Sequence, residues 1–187
     1  MYTKRILWIG FGLTVLLQLW APASMIFNKE AVLKNGKAYK FRSAPVDPND
    51  PFRGKYIVLR PQAASFKPGP TQKWEAGETV YVQVTEDTAG FAHIAALHKK
   101  MPVPGNDIIK ATINYVGYDS LKEVFIEWPF ERFYMEESKA YEAEKAYIKA
   151  TADSSQKTYA LVKVKNGEAV LQNVFINDNP ISYYIKK

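Results

Sequence analysis

The sequence predicts a mainly β (α+β) protein, an N-terminal transmembrane helix followed by a β-rich sandwich or partly open barrel with one amphipathic helix. Three observations lead there. An uncharged run, "ILWIGFGLTVLLQLWAPASMIF", fills residues Ile6 to Phe27. Asn-Gly steps at Asn35-Gly36 and Asn166-Gly167 each separate two short β-prone runs. One segment alone, from Glu136, repeats small and apolar residues at helical spacing. With 187 residues, the chain suits one domain plus an anchor. Its aromatic content of 14% favours pleated, half-buried surfaces over a plain helical bundle.

As a helix the uncharged run would be about 33 Å long, against a hydrocarbon core of roughly 30 Å. Lys4 and Arg5 precede it, and Lys29 and Glu30 follow. Positive charge ahead of the span and no basic cluster behind it keep the N-terminus in the cytoplasm. Residues 1–27 are then a single-pass anchor in the cell membrane, and residues 28–187 an extracytoplasmic, periplasmic domain. A secretory signal ending near Trp20, with Ala21-Pro22-Ala23 as its cleavage site, is the competing reading. The anchor is favoured because apolar character resumes at Met25-Ile26-Phe27 and proline beside the cut hinders cleavage.

After the anchor, "AVLKNGKAYKF" reads as a hairpin turning at Asn35-Gly36, since both central residues of a type I′ turn need positive φ. Lys55 to Arg60 reads as a strand, and the Pro- and Gly-rich "PQAASFKPGPTQKW" after it as a loop that covers a sheet edge or wraps the surface. "ETVYVQV" alternates Val80, Val82 and Val84 with polar neighbours, the period of a half-buried strand. "FAHIAAL", "DIIKATINYV" and "KEVFIEW" add further strands. "EESKAYEAEKAYIKATAD" forms the helix, burying Ala140, Ala143, Tyr147 and Ala150, with Glu136 and Glu137 at the end where the helix dipole favours negative charge. A second hairpin closes the chain, turning at Asn166-Gly167 between the runs around Val162 and Val174. The strands number about eight.

The net charge is +6, but basic and acidic residues are mixed and no five basic residues adjoin, so no nucleic-acid surface is expected. Cysteine is absent, which excludes disulfides, thiolate metal sites and thiol chemistry. His93 and His98 are five apart with no acid between them, a spacing that suits neither face of a helix nor of a strand, so no metal or other cofactor is expected. Asp47 and Asp50 could pair for metal or acid–base work. Each precedes proline, however, which favours a stiff turn whose carboxylates accept backbone N–H bonds. Arg53 is a local ion partner for them, and Gly54 permits positive φ or close approach. Glu131, Arg132, Tyr134 and Glu136 or Glu137 could line one cleft, with a strand running into a helix as the plainer reading.

One enzyme-like pattern remains. Ser24-Met25 at the outer end of the anchor, followed by "IIKATINYVGYD", is loosely similar to type I signal peptidases. That similarity implies Ser24 as nucleophile and Lys110 as a desolvated general base. The sequence departs from those enzymes directly after Ser-Met.

"PVDPNDPFRGKYIVLRP", from Pro45 to Pro61, resembles the GDYXXLXY family of membrane-anchored bacterial proteins. Gly54, Tyr56 and Leu59 fall at the motif's positions, whereas Lys55 stands for its Asp and Pro61 for its last Tyr. The apolar N-terminus, the Asp-Pro approach and a later "RFYMEES" extend the likeness along the chain. The resemblance implies a polytopic membrane protein as partner and no defined activity. The expectation is a non-catalytic accessory or binding domain whose motif and surface residues are Asp47, Asp50, Arg53, Gly54, Tyr56, Leu59, Arg132, Tyr134 and Glu136. The alternatives are the Ser24/Lys110 hydrolase and a secreted β domain that binds a small ligand.

Overall fold

The computed structural model describes residues 2–44, 56–69, 72–103, 105, 107–118 and 123–185. Asp47, Asp50, Arg53 and Gly54 lie outside them, as does Lys55. In chain order the elements are α1 (Tyr2–Asn35), β1 (Lys37–Arg42), β2 (Tyr56–Val58), β3 (Ser65–Phe66), β4 (Thr79–Glu86), β5 (Ala92–His98), β6 (Ile108–Val116), β7 (Val124–Glu127) and β8 (Arg132–Tyr134). They continue with α2 (Glu137–Ala152), β9 (Thr158–Lys165), β10 (Glu168–Ile176), β11 (Asn179–Pro180) and a 3-10 turn at Ile181–Tyr184. Among the described residues the protein is β-rich, with an apolar N-terminal helix and one further α-helix, as the sequence predicts.

Helix α1 has 34 residues and would measure about 51 Å. From Trp8 onward it is long and apolar enough to cross a membrane, and its most apolar window is 0% buried within the protein. Trp8, Leu16, Leu17, Trp20, Ile26 and Phe27 all stand exposed. The helix outlasts its apolar run: Asn28 to Asn35 continue it to the domain, where Val32 is buried and the helix packs on β9 and β10.

The hairpin expected at Asn35-Gly36 is therefore corrected to a helix end. Residues 31–35 stay helical, and the Gly36 N–H donates to the Val32 carbonyl at 2.8 Å. A Cβ on Gly36 would lie 2.5 Å from the Val32 oxygen and 3.0 Å from that of Val164. Glycine is needed here for the close approach of helix and sheet. The same two letters behave differently at Asn166-Gly167, where φ is 51° and 85° and the turn joins β9 to β10 as a hairpin.

Among the described residues one sheet runs β1-β9-β10-β11, a second β3-β7-β6-β4-β5, and β2 pairs with β8 as a two-stranded ribbon. The outer strands of the second sheet, β3 and β5, touch each other, so it curls into a nearly closed barrel. The "PQAASFKPGP" stretch supplies β3, which pairs with β7 and so covers that edge. The run expected as a strand from Lys55 to Arg60 keeps strand geometry only over Tyr56–Val58 among the described residues. Beyond it, Leu59 still donates to Glu131, but Ala44 donates to Arg60 and Gln62 to Arg42. The chain there changes partners from β8 to the continuation of β1. A parallel bridge between Ile109 and Gly167 joins the two sheets at the opposite end.

Alternation fills the core as predicted: Val80, Val82 and Val84 from β4, and Ala160, Val162 and Val164 from β9, are all buried. Phe41 packs 5.3 Å from Trp128 and 4.9 Å from Phe130, ring to ring. Such rings each bury 150–250 Å², to order of magnitude, and dominate core energetics. Helix α2 buries Ala140, Ala143, Tyr147 and Ala150, the four residues its spacing predicts, against β2, β9 and the 3-10 turn. Strand β9 runs from a far end at Thr158 to a helix end at Lys165, where α1 enters, about 23 Å away.

Candidate functional site

Three of the residues that the sequence singles out, Tyr56, Arg132 and Tyr134, meet on a two-stranded ribbon at the far end. Strand β2 pairs antiparallel with β8, setting Tyr56 opposite Tyr134, Ile57 opposite Phe133 and Val58 opposite Arg132. The period of two divides the ribbon into two faces. Ile57 is fully buried and Phe133 packs against the core beside it. On the other face the Tyr56 and Tyr134 rings lie 5.5 Å apart, and the Arg132 guanidinium sits 5.1 Å from the Tyr56 ring centre. Tyr134 is 64% exposed, so this cation and its two phenols form a surface. The neighbouring Tyr134 and Tyr56 phenols hold Arg132 above its ordinary pKa, a permanent charge.

The flanking residues are structural. Leu59 is buried, and its N–H donates to the Glu131 carbonyl at 2.8 Å. The Glu131 carboxylate accepts the Trp128 N–H at 3.2 Å, and burial pushes its pKa up. Glu136 accepts hydrogen bonds from Lys139 Nζ and Ser138 Oγ, which lower its pKa, at the start of α2. Thus Tyr56, Arg132 and Tyr134 come together, Leu59 points inward, and Glu136 engages its own helix.

Ser24 and Lys110 are placed differently. Ser24 lies within α1, its hydroxyl donating to the Ala21 carbonyl at 2.8 Å. Lys110 is an exposed residue of β6, opposite Tyr81. His93 is exposed on β5, and His98 Nε2 lies 3.3 Å from Gln83 Oε1. Among the described residues no group of three or more His, Cys, Asp or Glu could hold a metal ion.

The sequence gives no hint of two further features. A recess of about 450 Å³ opens beside the ribbon's base, lined by Arg42, Ser43, Gln62, Phe91, Thr151 and the 153–158 turn. Arg42 stacks 4.2 Å over Phe91, a pairing between residues far apart in the chain. Behind it the Tyr147 hydroxyl is buried next to Ser43 without a hydrogen bond of good geometry, and burial pushes its pKa up to about 12. At the helix end, Lys37 and the Tyr39 hydroxyl converge on Asp107, with Lys37 Nζ at 3.0 Å. The hydrogen bonds from Tyr39 and Lys37 hold Asp107 below the usual carboxylate range. Long-range polar meetings of this kind have no periodicity to betray them.

A family model described as GDYXXLXY protein matches residues 18–174. The match begins within α1 and ends in β10, so it takes in the second half of the helix, the ribbon, the β3-β7-β6-β4-β5 sheet and, of the other sheet, β1, β9 and most of β10. No curated protein and no solved structure matches the chain.

Proposed function

The chain belongs to the GDYXXLXY family, and from that membership we propose that it is a single-pass, membrane-anchored accessory domain that binds a polytopic membrane protein outside the cytoplasm. The observation that carries this reading is α1. Its large apolar side chains are exposed from Trp8 to Phe27, and apolar surface of that extent is covered by lipid or by another membrane helix. The same helix continues into the domain and buries Val32 there. It is unbroken through Ala21-Pro22-Ala23, where a protease would need extended backbone, which favours a retained anchor over a cleaved signal. Lys4 and Arg5 support a cytoplasmic N-terminus.

The Tyr56–Arg132–Tyr134 surface is the contact we assign to the partner. Tyr and Arg are enriched at protein interfaces because each offers a large contact area with a polar tip or a fixed charge. Purification of the full chain in mild detergent is expected to recover one polytopic membrane protein in stoichiometric amount, with residues 1–23 retained by intact mass. Recovery of the chain alone would overturn the accessory role, and loss of residues 1–23 would overturn the anchor.

A further inference from the structure

We propose that the helix end of the domain is a docking face for an anionic phospholipid surface, formed by Lys100, Met101 and Val103 together with Lys165 at the β9–β10 turn. This inference rests on the membrane-anchor reading above.

The level of the turn is the first ground. The apolar run of α1 ends at Phe27. The β9–β10 turn does not stop where α1 enters the sheet but descends beside the helix. Lys165, Asn166 and Glu168 face Met25, Asn28, Lys29 and Val32 across a groove of about 490 Å³. An ion pair between Lys29 and Glu168 fixes the turn at that height. Residues 25 to 32 span about 10 Å along the axis, so the turn is level with the last apolar turn and the first polar one. That is the depth of lipid headgroups.

The loop before β6 is tied to this turn. Asn166 N–H donates to the Gly105 carbonyl at 2.9 Å, and Lys110 N–H to that of Gly167 at 2.8 Å. The Met101 methyl lies 3.4 Å from where a Gly167 Cβ would be. The loop therefore reaches the headgroup level with the turn. Val103, at its tip, is 86% exposed.

Charge supplies the partner's chemistry. Lys29 pairs with Glu168, Lys34 with Glu30, Lys37 with Asp107 and Lys99 with Glu78, and Lys163 Nζ donates to the Gly36 carbonyl instead. Among the described residues no acid pairs with Lys100 or Lys165. An exposed apolar residue beside unmatched lysines at the bilayer surface is how peripheral segments hold anionic lipid. Each lysine is worth roughly fivefold in the docked-to-undocked ratio.

The chain has no cysteine, so single labels can be placed on the full-length protein. An environment-sensitive NBD probe at Val103→Cys, in vesicles containing phosphatidylglycerol, should shift to the blue and be quenched by lipids spin-labelled just below the headgroup. Quenching should fall several-fold in pure phosphatidylcholine. Lys100→Glu with Lys165→Glu should reduce it in phosphatidylglycerol to that lower level. A probe at Ser154→Cys, at the far end, should stay in water in both. A probe at Leu16→Cys reports on the anchor separately. Quenched Leu16 with solvent-exposed Val103 overturns the docking face and leaves the anchor standing. Unquenched Leu16 overturns the anchor, and the docking face with it. Equal quenching of Val103 in both vesicle types overturns the anionic partner.

Discussion

At the helix end, Lys29 meets Glu168, and Lys37 and the Tyr39 hydroxyl converge on Asp107. At the far end, Phe41, Trp128 and Phe130 pack as one cluster, and Tyr159 lies between Phe91 and Phe175 as another. Directional polar contacts fix position, because a hydrogen bond fails within a few tenths of an ångström or a few tens of degrees. Stacked rings supply more free energy but tolerate sliding. The helix end relies on polar partners, whereas the far end adds aromatic packing to hydrogen bonds of its own, such as that from the Tyr159 hydroxyl to Asp178 at 2.8 Å.

Removing a ring from the far end tests this division most severely. Phe41→Ala should destabilise the protein by about 3–5 kcal/mol, read from denaturant unfolding monitored by tryptophan fluorescence, because Phe41 is fully buried between Trp128 and Phe130. A loss below about 1 kcal/mol would mean that the aromatic cluster does not anchor the core.

The corresponding break at the helix end is Gly36→Ala. The added methyl would meet backbone oxygen on two sides, so α1 must move relative to β9. A cost of about 1–3 kcal/mol is expected. The more telling readout is distance: a spin-label pair at Asn28→Cys and Lys165→Cys should broaden in the variant and stay narrow in the parent.

Acid should act with opposite sign on one carboxyl at each end, Asp107 and Glu131. Asp107 has its pKa depressed in the folded state, first by Tyr39 and then by Lys37, so its contribution is present above the unfolded value of about 3.9 and is lost as pH falls through the lower folded value. Glu131 at the far end has its pKa raised by burial, so its contribution grows as pH falls instead. In Tyr39→Phe the Asp107 carboxyl should titrate at higher pH by NMR, and stability should fall less steeply below pH 4 than in the parent. Unchanged titration would remove the Tyr39 hydroxyl from the helix-end network. The smallest effect on stability belongs to Tyr134→Ala, within about 0.5 kcal/mol for an exposed side chain. It should nonetheless weaken recovery of the membrane protein proposed above as the partner.

What the sequence made legible follows from period and composition. The alternation Val80-Val82-Val84 and the spacing Ala140-Ala143-Tyr147-Ala150 each describe a surface that must be buried, and both are. Asn35-Gly36 misled because Asn-Gly serves two purposes: it favours a tight hairpin, and it ends a helix where a side chain would strike the neighbouring strand. The choice depends on Val164, far along the chain, whose carbonyl leaves no room for a Cβ. The Tyr56, Arg132 and Tyr134 surface was legible through motif letters alone, since pairing β2 with β8 required knowing that Leu59 bonds to Glu131. The Asp107 network and the Arg42–Phe91 stack had no local signature at all.

The unbroken passage of α1 into the domain has a mechanical meaning. With Val32 buried in the domain and Gly36 closing directly onto β9, no swivel stands between the two. Were the sheet to follow a tilt of the helix as one body, a change of about 10° over the roughly 23 Å length of β9 would move the far end by about 4 Å. The helix, about 51 Å long, is the longer arm of this lever, and the Tyr134 surface rides on the shorter one.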